Sequence, residues 1–112
     1  MCSYTYVTIT GTAWKNINTF IFRGTNILGT PVSVQTIANI KAGSTAAIQL
    51  YDITNSLVIA EIDLTTANTA MAIFSTTTLA NLPTGPVMMA VRAKGNSSTY
   101  QVYVYSFSIF FS

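Results

Sequence analysis

Histidine is absent from this 112-residue sequence, cysteine occurs once, and only eight residues carry charge, five basic and three acidic. Each shortage closes a class of chemistry. Without histidine there is no Ser-His-Asp or Cys-His arrangement. The single Cys2 cannot form an internal disulfide, and with no histidine it cannot complete a tetrahedral zinc site. It has no base to activate it as a nucleophile, so it reads as a small terminal residue or as half of an intermolecular disulfide. The acids are Asp52, Glu61 and Asp63, so a calcium site would have to draw most of its ligands from backbone carbonyls. No metal and no cofactor are expected.

The cations Lys15, Arg23, Lys41, Arg92 and Lys94 are scattered. Nucleic-acid binding needs clustered Lys and Arg to displace counterions, and a two-residue cluster at Arg92 and Lys94 does not supply that. The uncharged stretch from Leu64 to Val91 is broken by Thr, Ser, Asn and Pro too often to form a membrane helix. The first residues, Met1 to Tyr6, lack the basic and apolar regions of a secretory signal. They fit a complete product made in the cytoplasm.

What is present is apolar and β-forming. Half the residues are hydrophobic and 12% are aromatic, which excludes an intrinsically disordered chain. Charged residues make up 7%, against about 25% in ordinary soluble domains. The polar surface must come from 18 Thr, 10 Ser and 8 Asn. Such a surface is flat in potential and does little to keep copies apart.

Period-two alternation recurs along the chain. Strands are expected over Tyr4–Thr10, Thr19–Arg23, a segment after Pro31 carrying Val32 and Val34, Thr45–Ile53, Leu57–Leu64, Ala70–Ser75, Val87–Lys94 and Thr99–Phe111. Turn residues separate them at Gly24-Thr25-Asn26, Lys41-Ala42-Gly43-Ser44, Asp52 to Ser56, Asn81 to Pro86 and Gly95 to Ser98. The clearest unit is a hairpin of Thr45–Ile53 and Leu57–Leu64 with its tip near Thr54-Asn55 and Asp52 capping the turn. In its second strand Val58, Ala60, Ile62 and Leu64 share one face, and Ile59, Glu61 and Asp63 the other. Gly95-Asn96-Ser97-Ser98 reads as a second hairpin loop. About eight antiparallel strands with such spacing predict an all-β, single-domain β-sandwich over residues 1–112, jelly-roll-like.

The terminal strand sets large apolar groups on both faces. Tyr103, Tyr105, Phe107 and Ile109 share the odd face, and Val102, Val104 and Phe110 the even one. A sandwich strand has one core face and one outer face, and an exposed aromatic stripe needs cover. The expectation is a homo-oligomer, a dimer or trimer, buried over Tyr103, Tyr105, Phe107 and Ile109.

Glu61 and Asp63, two apart on one strand, could be paired acids of the kind used in glycoside hydrolysis. Nothing in the sequence builds a sugar cleft around them, so they read as an outward polar face, and the chain as non-enzymatic. A carbohydrate-binding, lectin-like module of the same fold is the alternative, with Trp14 as a stacking ring and Asn16, Asn81 and Asn96 as amide contacts. Asn96-Ser97-Ser98 matches a glycosylation acceptor, which matters only on a secretory route. A membrane β-barrel is a third reading, disfavoured by the short strands.

The segment Ala47-Ile48-Gln49-Leu50-Tyr51-Asp52-Ile53-Thr54-Asn55, followed by Val58-Ile59-Ala60-Glu61, resembles a hairpin of virion and phage structural proteins. In those, an LYD-x-TN turn is followed by VIAE. The sparse charge, the Thr/Asn/Ser surface and the aromatic last strand are similar in character to small all-β virion proteins, including those of large DNA viruses. The resemblance implies a structural role in a virion, self-association and contact with other virion proteins. It carries over no catalytic residue.

Overall fold

A computed structural model describes residues 2–10, 13–43, 45–95 and 101–111, with the side chains of 2–10 and 101 outside the description. Eight strands form where the alternation and β-branched content placed them: β1 (Cys2–Thr10), β2 (Lys15–Phe22), β3 (Pro31–Ile40), β4 (Ala46–Asp52), β5 (Leu57–Leu64), β6 (Ala72–Thr76), β7 (Val87–Gly95) and β8 (Gln101–Phe111). A four-residue helix, α1 (Thr25–Leu28), takes the place of the turn expected at Gly24 to Asn26.

The strands form two antiparallel sheets, ordered β1-β8-β3-β6 and β2-β7-β4-β5. This is the jelly-roll arrangement. Two open sheets also remove the membrane-barrel reading. No helix among the described residues is long and apolar enough to cross a membrane.

The sheets face each other across one apolar core. Val34, Ala38, Ile40, Val102, Val104 and Phe107 line it from one side, and Phe22, Ile48, Leu50, Ile62, Met89 and Val91 from the other. Period-two strands require this division, because every second side chain points inward. In β2 it holds Phe22 in the core and leaves Ile21 exposed.

Register shifts interrupt several strand pairs, and two of them decide which residues reach the core. In β8, Ser106 pairs with Ile37 and Val104 with Ala38, leaving Tyr105 as an extra residue. A bulge flips the faces of everything beyond it. Val102 and Val104 therefore point inward before the bulge, and Phe107 and Ile109 after it. The even face becomes the odd face along a single strand. The Thr36 hydroxyl, fully buried, donates to the Ser106 carbonyl at 2.6 Å beside the bulge. The four residues expected to share an interface stripe do not share a face. Phe107, 1% exposed, and Ile109 are core, whereas Tyr103 and Tyr105 are half-buried.

In β5, Leu50 pairs with Ala60 and Tyr51 with Val58, so Ile59 is the extra residue. Ile59 enters the core and Val58 stays exposed, the reverse of the simple alternation.

The β4–β5 hairpin forms as expected. Asp52 accepts from the Asn55 backbone N–H (3.1 Å) and from Asn55 Nδ2 (2.8 Å), closing the turn. The second expected hairpin does not form. β7 and β8 belong to different sheets, and residues 96–100 lie outside the described ones. Gly24 (φ 95°) sits where a Cβ would run into the Thr84 backbone. Beside it, the Thr25 N–H donates to the Pro83 carbonyl at 3.0 Å, tying α1 to that proline-bounded loop.

If Phe107 is core, Phe107→Ala costs about 3–5 kcal/mol of unfolding free energy. Thr36→Val costs about 1–3 kcal/mol by leaving the Ser106 carbonyl unpaired. Urea denaturation reads both, and a Phe107→Ala cost below about 1 kcal/mol would return that residue to the surface.

Candidate functional site

The β2-β7-β4-β5 sheet carries six of the eight charged residues. Strand register places Asn16 opposite Arg92, Arg92 opposite Gln49, and Gln49 opposite Glu61. One line of four polar side chains thus runs across all four strands. Arg92 Nε donates to Gln49 Oε1 at 2.8 Å, and Gln49 Nε2 donates to Glu61 Oε1 at 2.6 Å. Gln49 is buried beneath its neighbours, and both ends of its amide are engaged.

The next line sets Lys94 and Asp63 on either side of Ala47. Alanine is too short to fill the space between them. The result is an open groove of about 480 Å³, lined by Thr45, Ala47, Glu61, Asp63, Lys94 and Gly95.

Aromatic rings border both lines. The Arg92 guanidinium carbon lies 3.6 Å from the Tyr51 ring centre and 4.6 Å from that of Trp14. Lys94 Nζ lies 4.7 Å from the same Trp14 ring. Ring and cation alternate from Tyr51 through Arg92 and Trp14 to Lys94. Each such contact contributes about 0.5–1 kcal/mol at an exposed site.

The two acids behave as a pair. Glu61 is held below the ordinary glutamate value, first by the Gln49 hydrogen bond and then by one from Asp63. Asp63 is pushed above the ordinary aspartate value, chiefly because its protonated form donates to Glu61. Lys94 pulls Asp63 the other way, more weakly.

Trp14 and Asn16, separate expectations in the sequence, land together beside Arg92. Asn81 does not join them. Its Nδ2 donates to the Val58 carbonyl at 3.0 Å, at the opposite end of β5 from Asp63. There it lines a second groove, of about 540 Å³, with Thr54, Asn55 and Thr84. Asn96 lies outside the described residues. Sequence reasoning did not find Gln49, Tyr51, Arg92, Lys94 or Ala47. The signal available was the β4–β5 register, which sets Gln49 against Glu61.

No family model and no curated protein matches the chain. Among solved structures its fold is similar to a carbohydrate-binding module, CBM36, in complex with calcium and xylotriose. The TM-score is 0.60 with 12% identity, over 96% of this chain and 100% of that one. The likeness bears out the β-sandwich. It counts against the reading as a virion component, because the solved protein that shares the fold is described as a carbohydrate-binding module.

The acid pair makes a pH prediction. A raised folded value means that protonated Asp63 stabilises the fold at low pH, and that this stability is lost as pH rises through the folded value. Asp63→Asn keeps a donor toward Glu61 and removes the like charge. The variant should melt above the parent at pH 7, by a margin of about 0.2–1 kcal/mol typical of solvent-screened pairs. The margin should close below the ordinary aspartate value of 3.8. Thermal melts at pH 7 and pH 3 measure it, and a variant less stable at pH 7 would refute the upward shift of Asp63.

Proposed function

We propose that this chain is a non-enzymatic carbohydrate-binding module whose binding face is the outer surface of the β2-β7-β4-β5 sheet. The observation that carries the reading is the array of Trp14, Arg92, Gln49 and Glu61 beside the open groove over Ala47. The shared fold with a module solved with xylotriose supports it.

The chemistry suits a neutral oligosaccharide. A pyranose has an apolar face and a rim of hydroxyls. The half-exposed indole of Trp14 offers a surface for the apolar face. Lys94 donates to hydroxyl oxygens, and Glu61 and Asp63 accept from hydroxyl hydrogens, across the groove over Ala47. Two cations, Arg92 and Lys94, stand against two acids, so the face has no sign that would select a charged ligand. The Arg92–Gln49–Glu61 chain holds these groups in place before the ligand arrives, which limits the ordering cost of binding.

Binding rather than hydrolysis fits the acids. A glycosidase sets two carboxyls about 5–9.5 Å apart on either side of the scissile bond. Here Glu61 and Asp63 stand two apart on the same face of one strand, opposite Gln49 and Ala47. Among the described residues no three acidic, Cys or His side chains lie together. Asp52 is committed to Asn55. The contacts proposed at this face are side chains, without a metal bridge.

Trp14 is the sole tryptophan, so its fluorescence reports the site directly. Titration with a panel of neutral oligosaccharides, xylotriose among them, should give a saturable change that a chelator leaves intact. Ala47→Leu, which fills the groove, should weaken binding at least tenfold, about 1.4 kcal/mol. No saturable response to any sugar would end the reading, and a response abolished by chelation would end its metal-free form.

A further inference from the structure

The eight charges are not shared between the sheets. Lys15, Asp52, Glu61, Asp63, Arg92 and Lys94 fall on β2, β4, β5 and β7, while Arg23 and Lys41 lie between strands. The sequences of β1, β3, β6 and β8 contain no Asp, Glu, Lys or Arg at all. A whole four-stranded sheet is therefore uncharged, on its outer face as well as in the core.

That outer face carries large apolar groups. Ile37 and Ile73 lie side by side across β3 and β6, and Ile73 is 63% exposed. Phe110, exposed, is opposite Ser33. Tyr103 and Tyr105 are half-buried on β8, and between these groups stand Gln35, Ser75, Ser106 and Ser108.

We infer that the outer face of the β1-β8-β3-β6 sheet is the contact surface for a second copy of this chain. The inference is independent of the carbohydrate reading. A partner with charged residues would have to strip water from ions that this face cannot pair. An equally uncharged, flat, hydroxyl- and amide-bearing sheet meets no such penalty, and the chain's own sheet is such a surface. The size is adequate. Four strands about 4.8 Å apart and some nine residues long at about 3.3 Å give roughly 600 Å² per copy, or roughly 1,200 Å² for the pair, where stable specific interfaces begin. A two-fold axis near Ile37 would bring the Ile37–Ile73 pairs together and close the assembly at two. The charged faces of the two copies would then point in opposite directions.

Light scattering coupled to size exclusion, over about a hundredfold dilution, tests this. The parent should run at twice the 12.1 kDa chain mass at the concentrated end. Ile73→Glu, on a short edge strand, should run at 12.1 kDa with an unchanged far-UV spectrum. Ser108→Lys, on the central strand β8, should do the same. Ile27→Glu, which replaces an equally exposed apolar residue on α1, should stay dimeric. A parent that is monomeric throughout overturns the inference. So does an assembly that survives both Ile73→Glu and Ser108→Lys, or one that Ile27→Glu dissolves.

Discussion

A strand that buries one face must dress the other, and this chain has eight charged residues with which to dress eight strands. That constraint organises the molecule. Hydroxyls and amides cover most of the outside, and the few ions are concentrated where they can satisfy one another. On the β2-β7-β4-β5 sheet, cations meet rings, and an amide bridges Arg92 to Glu61. The remaining sheet has none.

Arg92 is the centre of that concentration. Its position on β7 puts it between β2 and β4, so one guanidinium reaches Trp14, Tyr51 and Gln49. No single contact is large. An exposed cation–π pair contributes about 0.5–1 kcal/mol, and a hydrogen bond from a charged group about 1.5–3 kcal/mol. Their joint effect is on freedom, since each fixes a rotamer that the next contact needs. A lysine at the same position would offer a point charge without the planar fork that stacks and donates together.

Much of the fold was legible because alternation, turn chemistry and the absence of helical periodicity agreed. The β4–β5 hairpin and its Asp52 turn were readable residue by residue, since both depend on neighbours close in sequence. The bulges at Tyr105 and Ile59 were not. A bulge is an extra residue relative to a partner strand, and the partner was unknown. For that reason the aromatic row Tyr103, Tyr105, Phe107 and Ile109 looked like one stripe and is two. The same limit hid the site. Trp14 and Asn16 stood out by residue type, but Arg92 acquires its role from lying beside Gln49, 43 residues away. Asn81 had the right chemistry and the wrong end of the sheet.

The chain order of the sheets has a kinetic consequence. Only β4 and β5 are neighbours both in sequence and in a sheet; every other connection crosses from one sheet to the other. Assembly therefore cannot proceed by adding each strand to the one before it. The single hairpin can close early, while β1 must wait for β8 at the far end of the chain. Topologies dominated by such distant pairings fold over milliseconds to seconds. During that wait the uncharged strands of one sheet stand open to each other's copies, and the chain carries few like charges to hold those copies apart.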